Sequence, residues 1–463
     1  MTTAFNNNKH LLLAPLMAVI TFLAVNYGLE QTKEISLTLA VTIWVGYWWI
    51  TEAVPIPFTS LLPFILLPAF GVIDFKEASS SFGNHVIILL MGAFLMAKGL
   101  EASNVHKRIA FNIIQFIGGT SAFRIVFSFM CASAFLSMWI SNTATVLALL
   151  PVAVAIAASS EDKRFTIALL LGLAYSASIG GVGTLIGTPP NVIFASVYEN
   201  FAGQEFGFVH WMTIGVPIVI VTIPAVALWL TRGVKLNTVL SLPKMTSWSL
   251  SEKRALLVFG IIVLLWITRK VPFGGWSELT GMTLVGDATI ALAGVLLMAI
   301  VPGSNNQPLL TWSNAKTIPW DMLILFSGGI CLAKGFAASG LSELIGNALS
   351  SVLDLPLLIL LFVLAISLSF LTEVTSNTAT ATLFMPILAS VAMSKGLPLE
   401  LIMIPAVVSC SFAFCLPVAT APNSIVFSSG QLTIKDMARQ GVALNIIGAT
   451  LVAAVCYLLI PHQ

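Results

Sequence analysis

Charged residues are scarce in this chain. Only 9% of its 463 residues are Asp, Glu, Lys or Arg, whereas 58% are hydrophobic. A soluble protein carries roughly 25% charged residues. A large core alone does not account for so wide a difference, so the composition excludes a soluble protein and predicts an integral membrane protein. The formal net charge of +2 gives no indication of a nucleic-acid partner.

Clusters of reactive side chains are also missing. The five histidines are scattered along the chain, and the five cysteines lie in apolar surroundings without metal-ligand or disulfide spacing. We interpret these cysteines as packing residues: Cys131, Cys331, Cys410, Cys415 and Cys456. No nucleophile–base pair, metal cluster or acid dyad stands out, so the sequence argues against an enzyme and an organic cofactor.

What the chain does contain is a polar motif that occurs twice. Ser141-Asn142-Thr143-Ala144-Thr145 returns as Ser376-Asn377-Thr378-Ala379-Thr380, and a proline follows each serine after ten residues. Each copy has a second polar stretch downstream, at 188–191 and at 420–423. A membrane tolerates such breaks in apolar runs only where they are buried in protein or line a cavity. Hydroxyl residues can also simply join helices, but the paired repetition favours one binding site built from all four patches.

The apolar runs predict about 11 transmembrane helices and two re-entrant hairpins, because a spanning helix needs about 20 apolar residues. Residues 1–36 form an N-terminal segment with a first helix that is retained rather than cleaved. Residues 37–231 form a first repeat, with a hairpin at 121–158 and a broken helix at 164–198. A linker at 232–254 leads to a second repeat at 255–463, with a hairpin at 356–393, a broken helix at 399–429 and a final helix at 437–460.

The basic residues predict the orientation of these spans. With the N-terminus in the cytoplasm, 15 of the 21 Lys and Arg residues lie inside and 6 lie outside, as the positive-inside rule expects. An odd number of spans between the two motifs then inverts the second repeat. Inverted repeats that bring broken helices to the bilayer midplane are typical of secondary transporters. Lys98 and Lys334 occupy equivalent repeat positions, 236 residues apart, and we expect them to reach the membrane interface.

The residue types in the four patches indicate the ligands. The patches offer hydroxyls, amides, free carbonyls and helix N-termini, and they contain no Asp, Arg, Lys or His; Glu373 is the one carboxylate nearby and is expected to support the site from behind. Carbonyl and hydroxyl oxygens suit a hard cation such as Na⁺, and helix N-termini suit an anion. An anion held without a basic side chain needs bound cations to offset its charge. The patches therefore predict a cation-coupled anion transporter.

The motifs resemble those of the divalent anion/sodium symporter family, which carries dicarboxylates, citrate or sulfate. The resemblance extends from about Trp44 to Tyr457 and includes the stretches 411–426 and 49–55. It implies a homodimer in the bacterial inner membrane, in which a transport domain slides past a rigid scaffold as an elevator. It also implies Na⁺ as the coupling ion, a dicarboxylate as substrate and lipid as the surrounding partner.

The resemblance further implies roles for individual residues. One sodium site would use Ser137, Ser141, Asn142 and Gly187, and the other Thr372, Thr375, Asn377 and Ala419. The substrate would meet Asn142, Thr143, Thr188, Pro189, Ser376, Asn377, Thr378 and Thr420. Thr188 and Ala421 stand where some members of the family have serine and proline, which leaves substrate choice open. The expected function is sodium-coupled uptake of succinate, malate and fumarate; the alternatives are a dicarboxylate exchanger, or a citrate, tartrate or sulfate carrier.

Overall fold

The computed structural model describes residues 8–158, 160, 162–234, 247–271, 274–304, 306–348 and 355–462. Within these ranges the chain is helical, and its one β feature is an isolated bridge between Pro302 and Pro308. The helices, in chain order, are α1 (Asn8–Leu23, continued by a π-helical turn at Ala24–Gly28), α2 (Lys33–Thr51), α3 (Ile56–Thr59), α4 (Leu62–Ala69), α5 (Phe75–Ser80), α6 (His85–Ser103), α7 (Val105–Ile117), α8 (Ala122–Ser137), α9 (Asn142–Ala158), α10 (Lys163–Gly181), α11 (Pro189–Ala202), α12 (Phe208–Thr231), α13 (Leu250–Ile267), α14 (Gly275–Leu279), α15 (Asp287–Ile300), α16 (Trp312–Ala315), α17 (Trp320–Ser339), α18 (Leu341–Ala348), α19 (Leu357–Leu371), α20 (Asn377–Ser394), α21 (Leu399–Ser409), α22 (Ala421–Phe427) and α23 (Ile434–Leu459).

These helices have the length and composition of a polytopic membrane protein. Six helices among the described residues are long and apolar enough to cross a membrane, and several shorter apolar helices accompany them. Four of the six shorter ones in the described ranges, α8, α9, α19 and α21, are arms of the predicted hairpins or parts of the predicted broken helices; the other two are Ile56–Ala69 and α15. The fold is therefore the all-α membrane architecture that the sequence predicted.

Element boundaries differ from the prediction at a few places. The helix predicted at 56–72 turns at Ser60 and Leu61 and continues as α4, because Pro63 in the first turn of α4 has no N–H to extend the preceding helix. Helix α13 begins five residues earlier than expected because Ser249 and Glu252 form a capping box there. Residues 235–246 of the predicted linker and 349–353 of a predicted surface helix lie outside the described residues.

Both predicted hairpins and both predicted breaks are present. Four residues separate the end of α8 from Asn142, which opens α9, and five residues separate the end of α19 from Asn377, which opens α20. The broken helices are α10–α11 and α21–α22, and each second half begins next to a proline. Proline is tolerated in the first helical turn, where the backbone N–H would lack an intrahelical partner in any case.

Helices of each repeat pack against helices of the other repeat. The second arm of the first hairpin, α9, packs against α22 of the second repeat, and α20 packs against α11 of the first repeat. Within each repeat the hairpin also packs on its own broken helix; Gly180 of α10 lies directly against the backbone of Ala134 in α8. This crossed packing brings both hairpin tips and both helix breaks together.

A second group of helices lies beside these elements. Helices α6, α13 and α15 pack on one another, and α17 packs on α2, α4 and α11. Helix α11 contacts both α6 and α17, so the first broken helix lies along the boundary between the two groups.

Candidate functional site

The four polar patches line one cavity of about 690 Å³. Each repeat contributes its hairpin tip and the helix break that follows it. The tips are residues 141–143 and 375–378, and the breaks contribute residues 187–190 and 419–422. The predicted site residues in the wall are Ser141, Asn142, Thr143, Gly187, Thr188, Pro189, Thr375, Ser376, Asn377, Thr378, Ala419 and Thr420. The predicted Ser137 and Thr372 do not belong to the wall; both are fully buried behind it.

Those two buried hydroxyls hold the two motif asparagines. Ser137 Oγ donates to Asn142 Oδ1 at 2.5 Å, and Thr372 Oγ1 donates to Asn377 Oδ1 at 2.6 Å. Each pair therefore places two oxygen atoms side by side, one on a wall residue and one on a residue buried behind the wall. The amide nitrogen of each asparagine remains as a donor on the same side chain.

Each helix break is stabilised by a second asparagine. Asn191 Nδ2 donates to the carbonyl oxygens of Gly181 and Thr184, at 3.1 and 2.8 Å. Asn423 Nδ2 donates in the same way to Ala413 and Leu416, at 3.0 Å each. The donors and acceptors correspond one to one at a separation of 232 residues, so the two breaks have the same backbone design. Interrupting a helix frees carbonyl groups, and these amides satisfy two of them in each break.

Backbone donors are concentrated at the tip of the second hairpin. Thr380 N donates to Ser376 O at 2.9 Å, and the Ser376 side chain does not cap α20. Among the described residues the N–H groups of Asn377, Thr378 and Ala379 have no hydrogen-bond acceptor. A helix N-terminus with free N–H groups carries partial positive charge and favours an anion. In the first hairpin the Ser141 hydroxyl accepts from Ala144 N at 3.1 Å and takes up one such donor.

The breaks, in contrast, offer mainly acceptors. Helix α11 begins with Pro189 and Pro190, which have no N–H, and Asn191 N is bonded to Thr188 O at 3.2 Å. Within the part of the chain that the structure describes, no donor bonds the carbonyl oxygen of Gly187 or of its counterpart Ala419. The breaks therefore suit a cation and the hairpin tips suit an anion.

Glycine leaves room for a cation in the first repeat. A Cβ atom on Gly181 would lie 3.0 Å from both Asn142 Oδ1 and the Gly187 carbonyl oxygen. A Cβ atom on Gly187 would lie 3.0 Å from the Ser137 carbonyl oxygen and closer still to that of Gly181. Side-chain and main-chain oxygens thus surround a small space that any side chain would fill. Unwound carbonyls and adjacent hydroxyls are the donors that transporters use for Na⁺, so the residues present fit this ion.

Glu373, which also lines the cavity, stabilises the second break. Its carboxylate, only 4% exposed, accepts from Cys415 N at 2.8 Å, from Leu416 N at 3.0 Å and from Asn445 Nδ2 at 2.8 Å. Charge-assisted bonds of this kind are stronger than neutral ones. The carboxylate therefore fixes the 411–419 segment to α19 and α23 and leaves a negative charge beside the second pair of oxygens.

Part of the wall comes from residues that the sequence did not assign to the site. Lys98 and Glu101 of α6 line the cavity and form an ion pair of 2.8 Å, and Glu52, the αL residue that ends α2, lines it too. Lys98 therefore lines the cavity, while its reach to the membrane interface stays a prediction. The separation of three residues between a base and an acid on one helix face is a signal that could have indicated this pair.

Among the described residues no group of three His, Cys, Asp or Glu side chains could hold a metal ion. Four of the five cysteines are buried, which agrees with a packing role.

Comparisons with known proteins point in one direction. Residues 47–404 match a family described as Citrate transporter. The sodium-dependent dicarboxylate transporter SdcS of Staphylococcus saprophyticus is 38% identical to this chain, with 97% of this chain and 91% of that protein covered. SdcS of Staphylococcus aureus (strain MRSA252) is similar to the same extent.

A solved structure shares the fold. The crystal structure of the YdaH transporter of Alcanivorax borkumensis matches with a TM-score of 0.61 and 13% sequence identity, and covers 83% of this chain and 87% of its own. At that identity the likeness concerns the fold alone. The SdcS matches, in contrast, extend over 97% of this chain, and the family match covers both hairpins and the first break. The chain belongs to the divalent anion/sodium symporter family, whose members are transporters and not enzymes.

Proposed function

We propose that this protein is a sodium-coupled secondary transporter that carries C4-dicarboxylates such as succinate, malate and fumarate into the cell. The observation that carries the proposal is the division of donors and acceptors around one cavity. Free N–H groups and amides at the hairpin tips face the same space as the oxygen-lined pockets behind Asn142 and Asn377. A dianion at the tips and Na⁺ in the pockets would neutralise each other.

The size and charge of the cavity support a small anion. A volume of about 690 Å³ lies in the range of small-molecule sites. The four patches contribute no basic side chain, so the cavity without Na⁺ offers a dianion only neutral donors at the patches. Substrate affinity should therefore collapse when Na⁺ is removed. The named activity of the SdcS relatives agrees with this coupling.

The grouping of the helices supports an elevator motion in the inner membrane. The hairpins and broken helices pack as one group, and α6, α13, α15 and α17 form walls along which that group could slide. In the proposed orientation the N-terminus is cytoplasmic, and the cavity opens where α2 and α6 end and α17 begins, which is the cytoplasmic side. We further expect a homodimer with the sliding group in each subunit.

Citrate is the second candidate substrate, because the matching family is described by that anion. Citrate carries a third carboxylate, which the charge balance of two oxygen pockets does not favour. Competition by citrate against labelled succinate separates the two candidates. Stronger inhibition by unlabelled citrate than by unlabelled succinate would assign the site to citrate.

The test of the proposal is uptake of labelled succinate into proteoliposomes. An inward Na⁺ gradient should drive accumulation, and K⁺ in its place should abolish it. Asn142→Ala and Asn377→Ala should each remove the Na⁺-dependent uptake, whereas Asn112→Ala, at an exposed position of α7, should not. Equal uptake with either cation, seen only after dicarboxylate is preloaded, would make the protein an exchanger and contradict the coupling.

A further inference from the structure

We propose that Lys98 and Lys334 are anion-guiding residues, one for each side of the membrane. Lys98 attracts the substrate carboxylates when the site is exposed as it is in this structure, and Lys334 does so when the site is exposed to the opposite side. This inference rests on the proposed function and adds two residues outside the four polar patches.

Lys98 is the basic side chain among the residues that line the described cavity. The charged side chains that line the described cavity are Glu52, Lys98, Glu101 and Glu373. Glu373 is engaged by the second break, and Lys98 Nζ lies 2.8 Å from Glu101 Oε2. The ammonium thus offsets one acid at the mouth, and its 29% exposed side chain leaves donors for an entering carboxylate. Without Lys98, a dianion would enter past two uncompensated carboxylates, Glu52 and Glu101.

Lys334 holds the equivalent place on the equivalent helix. Lys98 and Lys334 each lie five residues before the end of their helices, α6 and α17. Lys334 Nζ donates to Ser80 Oγ at 2.6 Å and to Glu77 O at 3.2 Å, both in α5. Its helix has Ala337 where α6 has Glu101, so the ammonium is held by neutral groups.

One face of α6 lines the cavity, but the corresponding face of α17 packs against α20 in this structure. Ala93 of α6 lines the cavity, and its counterpart Gly329 instead meets the side chain of Thr382 in α20. The hairpin tips now lie near the beginning of α17, where Pro319 and Met322 line the cavity. At 1.5 Å per residue, Lys334 is about 18 Å further along that helix. A group that slides along α17 would bring the tips from Met322 toward Lys334.

The structure also shows open space on the Lys334 side. A second cavity of about 490 Å³ lies between α17–α18 and the C-terminal ends of α11 and α20. Ala337 and Glu343 line it on one side, and Asn200, Ser390 and Ser394 line it on the other. Lys334 lies one helical turn before Ala337 and is not part of this wall. The N-termini of α11 and α20 face the first cavity, so the two cavities lie at opposite ends of the same helices.

The competing interpretation is that both lysines only anchor helix ends at the membrane interface. The two interpretations differ in a measurable way, since an anchoring residue does not act on substrate from one side of the membrane. Whole cells measure succinate half-saturation from outside, and everted vesicles measure it from the cytoplasmic face. Salt screens a guiding charge, so the effect of each variant should shrink as ionic strength rises.

The experiment compares Lys98→Met, Lys334→Met and Lys107→Met in both preparations, with the amount of protein in the membrane measured for each. We expect Lys98→Met to raise the succinate half-saturation about fivefold in everted vesicles only, and Lys334→Met to raise it similarly in whole cells only. Lys107 is exposed on α7, and its variant should change neither value. Lys98→Arg should restore the wild-type value because it restores the charge.

Each other outcome counts against the assignment. Equal changes in both preparations would indicate a structural role, and no change would indicate anchoring. Effects of both lysines on the same side would contradict the inverted relation between α6 and α17. If the wild-type protein moved no succinate with Na⁺ in either preparation, the proposed function would fall and the assignment with it, whereas side-independent variants in an active transporter would overturn the lysines alone.

Discussion

The two repeats build the same break with different side chains. Both place a hydroxyl on the motif asparagine, and both clamp the broken helix with an amide, Asn191 or Asn423. The positions around the two proposed sodium sites differ: the first repeat has Gly181 and Gly187, and the second has Ala413 and Ala419. The backbone arrangement is therefore shared, while the space and charge in each half are set by single side chains.

The two repeats also differ in charge and in hydrogen bonding around the motif. Glu373 adds a carboxylate to the second repeat where the first has Met138. Thr375 bonds Thr380 at 2.7 Å in the second repeat. In the first repeat Ile140 replaces Thr375, and the buried hydroxyl of Thr145 has no partner among the described residues. We infer that the first site relies on backbone carbonyls in an open space, and that the second relies on more hydroxyls and a nearby negative charge.

The largest effect should follow from making the first break like the second. Gly181→Ala would place a Cβ atom 3.0 Å from Asn142 Oδ1 and the Gly187 carbonyl. We expect the Na⁺ half-saturation of succinate uptake to rise about 10- to 100-fold, the range seen when the surroundings of a bound ion are disturbed. The measurement is uptake against Na⁺ concentration in proteoliposomes.

The control for this substitution is Gly260→Ala, because a Cβ atom there meets no atom within 4 Å. The reverse change, Ala413→Gly, tests the comparison from the other side. It enlarges the second break and should alter Na⁺ dependence only slightly. Similar losses from Gly181→Ala and Ala413→Gly would show that the two spaces do not differ as described.

A smaller effect is expected from removing the charge of the second break. In Glu373→Gln the side-chain NH₂ would face a backbone N–H, so at least one buried donor loses its acceptor. We expect a loss of about 2 kcal/mol in the free energy of unfolding. The lost charge should also raise the Na⁺ half-saturation about fivefold.

Unfolding in mixed detergent micelles and Na⁺ titration of uptake measure these two quantities separately. Met138→Gln, at the equivalent position of the first repeat, is the matched control because that position carries no charge. A stability loss without any change in Na⁺ dependence would limit Glu373 to a structural role. Equal effects of both variants would contradict the asymmetry.

The smallest effect concerns the two buried threonines. Thr145→Val removes a hydroxyl that has no partner in the described structure and should raise the free energy of unfolding by up to about 1 kcal/mol. Thr380→Val removes the bond to Thr375 and should lower it by about 1 kcal/mol.

Both values can be obtained from the same detergent unfolding assay. Succinate uptake by Thr145→Val should equal that of the wild type, because this side chain does not line the cavity. A destabilised Thr145→Val variant would mean that the hydroxyl has a partner, such as a bound water, and would remove this difference between the repeats.

The sequence predicted the repeated parts of the site well for a physical reason. A polar stretch inside an apolar run is costly in a membrane, so Ser141-Asn142-Thr143 and its second copy stand out against their surroundings. The same logic located both hairpins and both breaks within a few residues. Caps and short turns were less visible, and this accounts for the missed interruption at Ser60 and the early start of α13.

Residues that act through distant contacts could not be assigned in the same way. Asn445 lies in the apolar part of α23, and only the folded chain shows that it bonds Glu373, 72 residues away. The sequence predicted Lys98 as an interfacial residue, and only the folded chain shows that it lines the cavity. The two clamp asparagines were seen as parts of a motif, but their bonds across the breaks were not.

The sequence by itself determined that this chain is a polytopic membrane protein with two polar, repeated interruptions, because composition and hydrophobic length are properties of the chain alone. Tertiary structure alone decided which of those interruptions present hydrogen-bond donors to the cavity and which present acceptors. Crossed packing of α9 on α22 and of α20 on α11 brings four separate patches to one cavity. Only that arrangement places free N–H groups opposite free carbonyls, because their distances depend on helices that are far apart in sequence.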